Sequence, residues 1–212
     1  MTKQELIDFH LYLITDRKLV TRHPSLVTAV KKSLKGGIKA VQLREKDLDT
    51  GPLLKMAYKM RKLTTAHKAK LFINDRFDIA LAVGADGVHL TQSSIPVSKV
   101  RQTVKKKLLI GVSTHSLKEV REAEVGGADF ITFGPVYRTP SKLKYGKPVG
   151  MAALEQVIRK TNIPVFAIGG ITGSRINNIR KSGAYGVAMI REVLAPDNIK
   201  EKSQELINLL GA

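Results

Sequence analysis

The sequence predicts a single-domain α/β protein folded as a (β/α)₈ barrel, a TIM barrel, and three observations carry that expectation. Eight short β-rich runs are mostly apolar throughout instead of alternating, which suits strands covered on both faces of a parallel sheet. Helix-like patterns lie between the runs. A glycine signature recurs before every second run. The 212 residues, 43% of them hydrophobic, suffice for one sizeable core. No linker or low-complexity stretch divides the chain, so residues 1–212 read as one domain. A doubly wound open sheet is the alternative built from the same alternation.

The first run is Leu11–Thr15, and Leu26, Val30 and Leu34 then recur at steps of four along one face of a helix. Ala40–Arg44 follows, then Leu53, Ala57 and Met60 at helical spacing. The third run, Leu71–Asp75, lies so close to the fourth, Gly87–Leu90, that the helix between them must be brief. After Leu109–Thr114 the stretch "SLKE" offers a capping box, with Ser116 as N-cap and Glu119 three residues on. Phe130–Val136, Pro164–Gly170 and Gly186–Arg191 complete the set. Gly37, Gly84, Gly127 and Gly183 stand before the even-numbered runs in "GGIKAVQL", "VGADGVHL", "GGADFITF" and "SGAYGVAM". A glycine there ends a helix in the left-handed conformation and turns the chain into the next strand, so a doubled βα unit is used four times.

Composition narrows the chemistry. The chain has no cysteine, which excludes disulfides and thiolate catalysis. The opening stretch "MTKQELIDFHLYLITDRK" carries charges throughout and too short an apolar segment for a signal core or a membrane span, so a cytoplasmic location without a membrane partner is expected. The formal charge of +18 suits nucleic acid, an anionic membrane, a phosphorylated substrate or a merely solvated surface. The lysines sit mostly between apolar residues at helical spacing and no aromatics interleave them, which favours the solvated surface over a nucleic-acid partner. A homo-oligomer stays open.

A barrel should gather its functional groups where strands end. The second run ends in "QLREK", where Gln42, Arg44 and Lys46 occupy alternate positions of an extended chain and read as an anion site. The alternative there is a salt-bridge layer with Glu45 or Asp47. Asn74 and Asp75 end the third run; an acidic residue there can hold Mg²⁺, and an Asx turn is the plainer reading. Ser113 ends the fifth run and can donate to a phosphate. His115 and His89 read as structural hydrogen bonders. The sixth run empties into "FGPVYRTPSKLKYGKPVG", in which Thr139, Ser141 and Lys142 all donate to an anion on a loop shaped by glycine and proline. "AIGGI" and "AMIRE" end the last two runs, where backbone N–H groups build the usual barrel phosphate site.

Taken together, "YLITDR", "VQLREK", "FINDRFDIALAVGADGVHL", "IGVSTHS", "FGPVYRTPSK" and "PVFAIGGI" resemble thiamine phosphate synthase, in order and over nearly the whole chain. The resemblance implies a TIM-barrel transferase that couples 4-amino-2-methyl-5-hydroxymethylpyrimidine diphosphate to a thiazole phosphate and releases pyrophosphate. It implies Mg²⁺-assisted departure of the diphosphate and capture of the pyrimidine methyl cation by the thiazole nitrogen. Gln42 to Lys46, Asn74, Ser113 and Lys142 would hold the pyrimidine diphosphate, with Arg44, Lys46 and Lys142 as the catalytic cations that neutralise the leaving group. Asp75 would bind Mg²⁺. Thr139, Ser141, Gly170, Ile190 and Arg191 would hold the thiazole phosphate. Two positions depart from the family pattern: Ser94 stands where a second metal-binding aspartate is usual, and Arg191 replaces a serine. A TenI-like thiazole tautomerase is the sister reading, but its histidine position is Pro135 here. A non-catalytic basic barrel that binds polyanions is the third reading, and the donors clustered at strand ends argue against it.

Overall fold

A computed structural model describes residues 6–105, 107–139 and 147–211. The eight apolar runs form β1 (Leu11–Ile14), β2 (Ala40–Leu43), β3 (Lys70–Asn74), β4 (Gly87–Leu90), β5 (Leu109–Thr114), β6 (Phe130–Phe133), β7 (Val165–Ile168) and β8 (Gly186–Met189). Each strand pairs in parallel with the next, and β1 also pairs with β8 through Leu11–Val187, Tyr12–Ala188 and Leu13–Met189. That last ladder closes the barrel and excludes the open sheet.

Helices α1 (Leu26–Lys35), α2 (Thr50–Ala66), α3 (Phe77–Ala82), α4 (Val97–Val104), α5 (Leu117–Val125), α6 (Gly150–Lys160) and α7 (Ile176–Lys181) follow the first seven strands, and α8 (Arg191–Leu194) and α9 (Ile199–Leu210) follow β8. Local signals explain their bounds. Ser25 caps α1 by accepting from Thr28 N, and the stripe of Leu26, Val30 and Leu34 is buried. α3 has 6 residues, as the short interval requires. Ser116 caps α5 by accepting from Glu119 N at 3.3 Å, while the Glu119 carboxylate accepts from His115 N at 2.7 Å, one residue before the cap. Gly37, Gly84, Gly127 and Gly183 all have positive φ, at 99°, 61°, 93° and 84°. L side chains are disfavoured there, which is why glycine marks each of these turns.

The doubled unit has a side-chain signature as well. Asp86, just before β4, accepts from Leu71 N of β3 at 2.7 Å and from Arg61 of α2 at 2.6 Å. Asp129, just before β6, accepts from Ile110 N of β5 at 2.7 Å and from Arg101 of α4 at 2.5 Å. Each aspartate ties a strand start to the helix that precedes that strand.

The lower barrel is filled by aromatic rings. Phe9 plugs it, with its ring centroid 5.2–5.9 Å from those of Tyr12, Phe72, Phe130 and Phe166. Glycines opposite the rings make room: a Cβ on Gly87 or Gly111 would lie 2.4 Å from a ring atom of Phe72 or Phe130. Each buried ring contributes about 2–3 kcal/mol of apolar burial. Above this apolar floor the interior turns polar, with Gln42, His89 and Thr132 all buried. Among the described residues no helix is long and apolar enough to cross a membrane.

Candidate active site

The strand ends of β5 to β8 enclose a cavity of about 370 Å³. Ser113, Thr139, Gly170, Ile190 and Arg191 line it, so five of the residues expected from the sequence come together here. Arg138, Arg175 and Glu192 line it too, and none of these three was expected.

Glycine builds the floor of this cavity. Beyond β6 the chain stays paired to the β7 side, with Val136 N donating to Ile168 O at 2.9 Å and Tyr137 N to Gly169 O at 3.0 Å. A Cβ on Gly134 would lie 2.0 Å from Ile168 O, and one on Gly170 would lie 2.7 Å from Arg138 O. Gly170 also has φ +65°. "FGP" and "IGG" are therefore two halves of one backbone contact. Arg175 locks it, donating to the Gly170 carbonyl and lying 4.5 Å from the centre of the Tyr137 ring. After β7 the N–H group of Gly170, and after β8 those of Arg191 and Glu192, donate to no described residue. Glu192 itself is engaged, accepting from Gly173 N at 3.0 Å and pairing with Lys202 at 3.4 Å. Backbone donors between β7 and β8, with Thr139 and Ser113 across the opening, suit a phosphate oxygen.

The ends of β2 to β4 carry the other expected residues, outside the cavity lining. Gln42 is 1% exposed; its Nε2 meets no partner among the described residues at full hydrogen-bond geometry, and the Tyr12 hydroxyl is its neighbour. The alternation expected through Lys46 stops with β2 at Leu43; the chain then turns, with Leu48 N donating to Glu45 O at 3.1 Å, and Lys46 is exposed. A salt-bridge layer does form, but with other cations. Buried Glu45 accepts from Thr15 Oγ1 at 2.7 Å and from Arg17 N at 3.2 Å, and Asp47 pairs with Arg17 at 2.7 Å and Lys18 at 3.3 Å. Arg17 and Lys18 belong to the β1 loop. Arg44 and Lys46 consequently have no ion pair with any described residue.

Asn74 ends β3, and Asp75 follows at φ +66° with an exposed side chain. The Asp75 carboxylate bonds no described residue, because the neighbouring Arg76 is engaged by Asp78 at 2.6 Å. Ser94 is placed differently. Its hydroxyl accepts from Thr91 N at 2.7 Å, and it borders a separate cavity of about 230 Å³ that Val97 and Glu119 also line. Among the described residues no group of three or more histidines and carboxylates is gathered for a metal. A carboxylate with no hydrogen bond or ion pair to a described residue nevertheless fits Mg²⁺, which binds through one or two carboxylates plus substrate phosphates and keeps several waters. Ser141 and Lys142 lie outside the described residues.

Two histidines separate clearly. His115 is exposed, with Nδ1 3.2 Å from Glu119, and acts as part of the α5 cap. His89 is buried inside the barrel, with Nε2 3.1 Å from Ser113 Oγ. Burial first, and the charge of Arg44 second, lower its pKa to about 3, so it is neutral. The sequence signal for this was present: in "GVHL" His89 shares strand parity with Gly87, whose lack of a side chain makes room for the Phe72 ring.

The sequence profile described as thiamine monophosphate synthase matches residues 11–193. A Geobacter sulfurreducens chain is 48% identical over 204 residues, covering 96% of this chain and 95% of that one. The "Thiamine-phosphate synthase" of Clostridium acetobutylicum is 39% identical over 204 residues, covering 96% of each. Among solved structures, "Thiamine phosphate pyrophosphorylase from Pyrococcus furiosus" superposes with a TM-score of 0.87 at 34% identity, over 96% of both chains. With its barrel closed and phosphate-compatible donors at the strand ends, the chain belongs to the thiamine monophosphate synthase family.

Proposed function

We propose that this protein couples 4-amino-2-methyl-5-hydroxymethylpyrimidine diphosphate to a thiazole phosphate, giving thiamine phosphate and pyrophosphate. The observation that carries the reading is the unequal pairing at the end of β2. Arg17 and Lys18 take the acids of the segment, and Arg44 and Lys46 are left as cations with no ion pair among the described residues. Breaking a carbon–oxygen bond to a diphosphate needs charge neutralisation on the leaving oxygens more than it needs a base.

In this reading Arg44, Lys46 and Lys142 hold the diphosphate, with donors from Asn74 and Ser113, and Gln42 orients the pyrimidine from the polar layer above the barrel floor. The buried Gln42 amide supports that role, since it has two N–H protons and only the Tyr12 hydroxyl beside it, which leaves a donor for a ligand. Thr139, Ser141 and the backbone at Gly170, Ile190 and Arg191 take the thiazole phosphate. Asp75 would hold Mg²⁺, which when bound adds positive charge on the diphosphate oxygens. Ser94 adds no charge to that site, because its oxygen is neutral and already serves Thr91 N.

The test is a paired assay of the purified protein with Mg²⁺. One arm follows thiamine phosphate and pyrophosphate from the two substrates; the other follows tautomer exchange of thiazole carboxylate phosphate alone. Equal amounts of the two coupling products are expected. Exchange without coupling, or neither reaction, overturns the proposal.

A further inference from the structure

His89 has no part in the function proposed above, yet it sits between two hydroxyls at the heart of the barrel. Tyr12 Oη lies 3.4 Å from Nδ1, and Ser113 Oγ lies 3.1 Å from Nε2. Thr132 Oγ1 is 3.5 Å from Nε2, at the edge of hydrogen-bonding range. A neutral imidazole has one N–H and one acceptor nitrogen, so the direction of one bond sets the direction of the other. Tyr12 decides it. Its side chain is fully buried against Phe9, Phe72 and Phe130, its hydroxyl faces His89 Nδ1, and the neighbouring Gln42 side chain favours its ionised form and so acts on it as a donor. A buried hydroxyl that accepts from the Gln42 amide must still donate, and Nδ1 is the acceptor within reach. The ring proton then resides on Nε2 and is directed at Ser113 Oγ.

We propose that His89 is a positioning residue: by accepting from Tyr12 and donating to Ser113, it leaves the Ser113 hydroxyl proton free to donate to a phosphate oxygen at the end of β5. In the opposite tautomer Ser113 would spend its proton on Nε2 and present only lone pairs to an anion, which repels them. The proposal rests on the reading that Ser113 contacts the diphosphate. The chain Tyr12–His89–Ser113 thus crosses the barrel from β1 through β4 to β5 and sets the polarity of one ligand contact from the opposite wall.

Binding of inorganic pyrophosphate by titration calorimetry tests this, with kcat and KM of the coupling reaction and the thermal midpoint measured beside it. The variants are Ser113→Ala, His89→Gln, His89→Asn and Tyr12→Phe, the last three also in the Ser113→Ala background. A glutamine amide nitrogen reaches the place of Nε2, whereas an asparagine nitrogen reaches only that of Nδ1. Ser113→Ala and His89→Asn should each weaken pyrophosphate about tenfold, the loss of one hydrogen bond to a charged group. His89→Gln should stay within about threefold of the native protein, and no double variant should bind more weakly than Ser113→Ala alone. Tyr12→Phe frees Nδ1 and should weaken binding severalfold only where Ser113 is intact, which decides the matter if His89→Asn fails to fold. Native-like binding by both His89→Asn and Tyr12→Phe, with Ser113→Ala weakened, overturns the relay alone. Native-like binding by Ser113→Ala overturns the relay together with the placement of Ser113 in the anion site.

Discussion

Lowering the pH from 8 to 5 should destabilise this protein by about 2 kcal/mol through His89 alone. In the folded state burial and the Arg44 charge hold the pKa of His89 to about 3. In the unfolded chain the ordinary value of about 6.5 applies. The folded pKa is the lower one, so between these values the unfolded state binds more protons. Stability is therefore complete above about pH 6.5, falls as the pH drops through that value, and stops falling near 3. At pH 5 the solution is about 1.5 units below the unfolded pKa, and each unit is worth about 1.4 kcal/mol, which yields the figure of about 2 kcal/mol. Urea unfolding of the native protein and of His89→Gln at pH 8, 6.5 and 5 isolates the effect, because glutamine does not titrate and the other groups are common to both. The stability difference between the two proteins should shift by about 2 kcal/mol against the native protein across that range. Parallel curves at all three pH values would refute the reasoning, since they would mean that His89 takes up its proton in the folded state.

Three further outcomes follow from the packing and the site. Asp75→Asn should sharply lower turnover in the coupling assay while moving stability by less than about 0.5 kcal/mol, because its carboxylate bonds no described residue and asparagine tolerates the φ of +66°; retained turnover removes Asp75 from the site, and Lys142→Ala is judged in the same assay by the same criterion. Gly134→Ala would place a Cβ 2.0 Å from Ile168 O and should cost several kcal/mol by urea unfolding, together with loss of activity; a native-like midpoint would contradict the backbone contact. Asp129→Ala strands Ile110 N, while Arg101 keeps the carbonyls of Gly127, Lys105 and Leu108, and should cost about 1–3 kcal/mol, whereas Asp197→Ala, which breaks an exposed pair with Arg22, should cost under about 1 kcal/mol; equal effects by denaturation would show that burial is not what distinguishes them.

The strand ends show why some site residues were legible in the sequence and others were not. Ser113, Gly170 and Arg191 were readable because each follows an apolar run directly, and a parallel barrel strand delivers whatever follows it to one face. Arg175 lies further along the loop after β7, beyond the reach of strand periodicity, and Glu192, next to Arg191, enters the cavity lining at the start of α8. His89 reads from the sequence as a structural hydrogen bonder; its meeting with Tyr12 depends on β1 and β4 facing each other across the closed barrel.

By itself, the sequence determined the eight strands, the short α3 and the four turns before even-numbered strands. The reason is local: continuous apolar runs are stable only as strands buried on both faces, and a left-handed turn is cheap only for glycine. Tertiary structure alone decided that the sheet closes, because pairing of β1 with β8 joins the two ends of the chain. It also decided which charges are free at the barrel mouth. Arg44, Lys46, Glu45 and Asp47 look self-neutralising in "REKD", but Coulomb attraction acts at a few ångströms. The cations that reach the acids are Arg17 and Lys18, brought there by the ladder between β1 and β2.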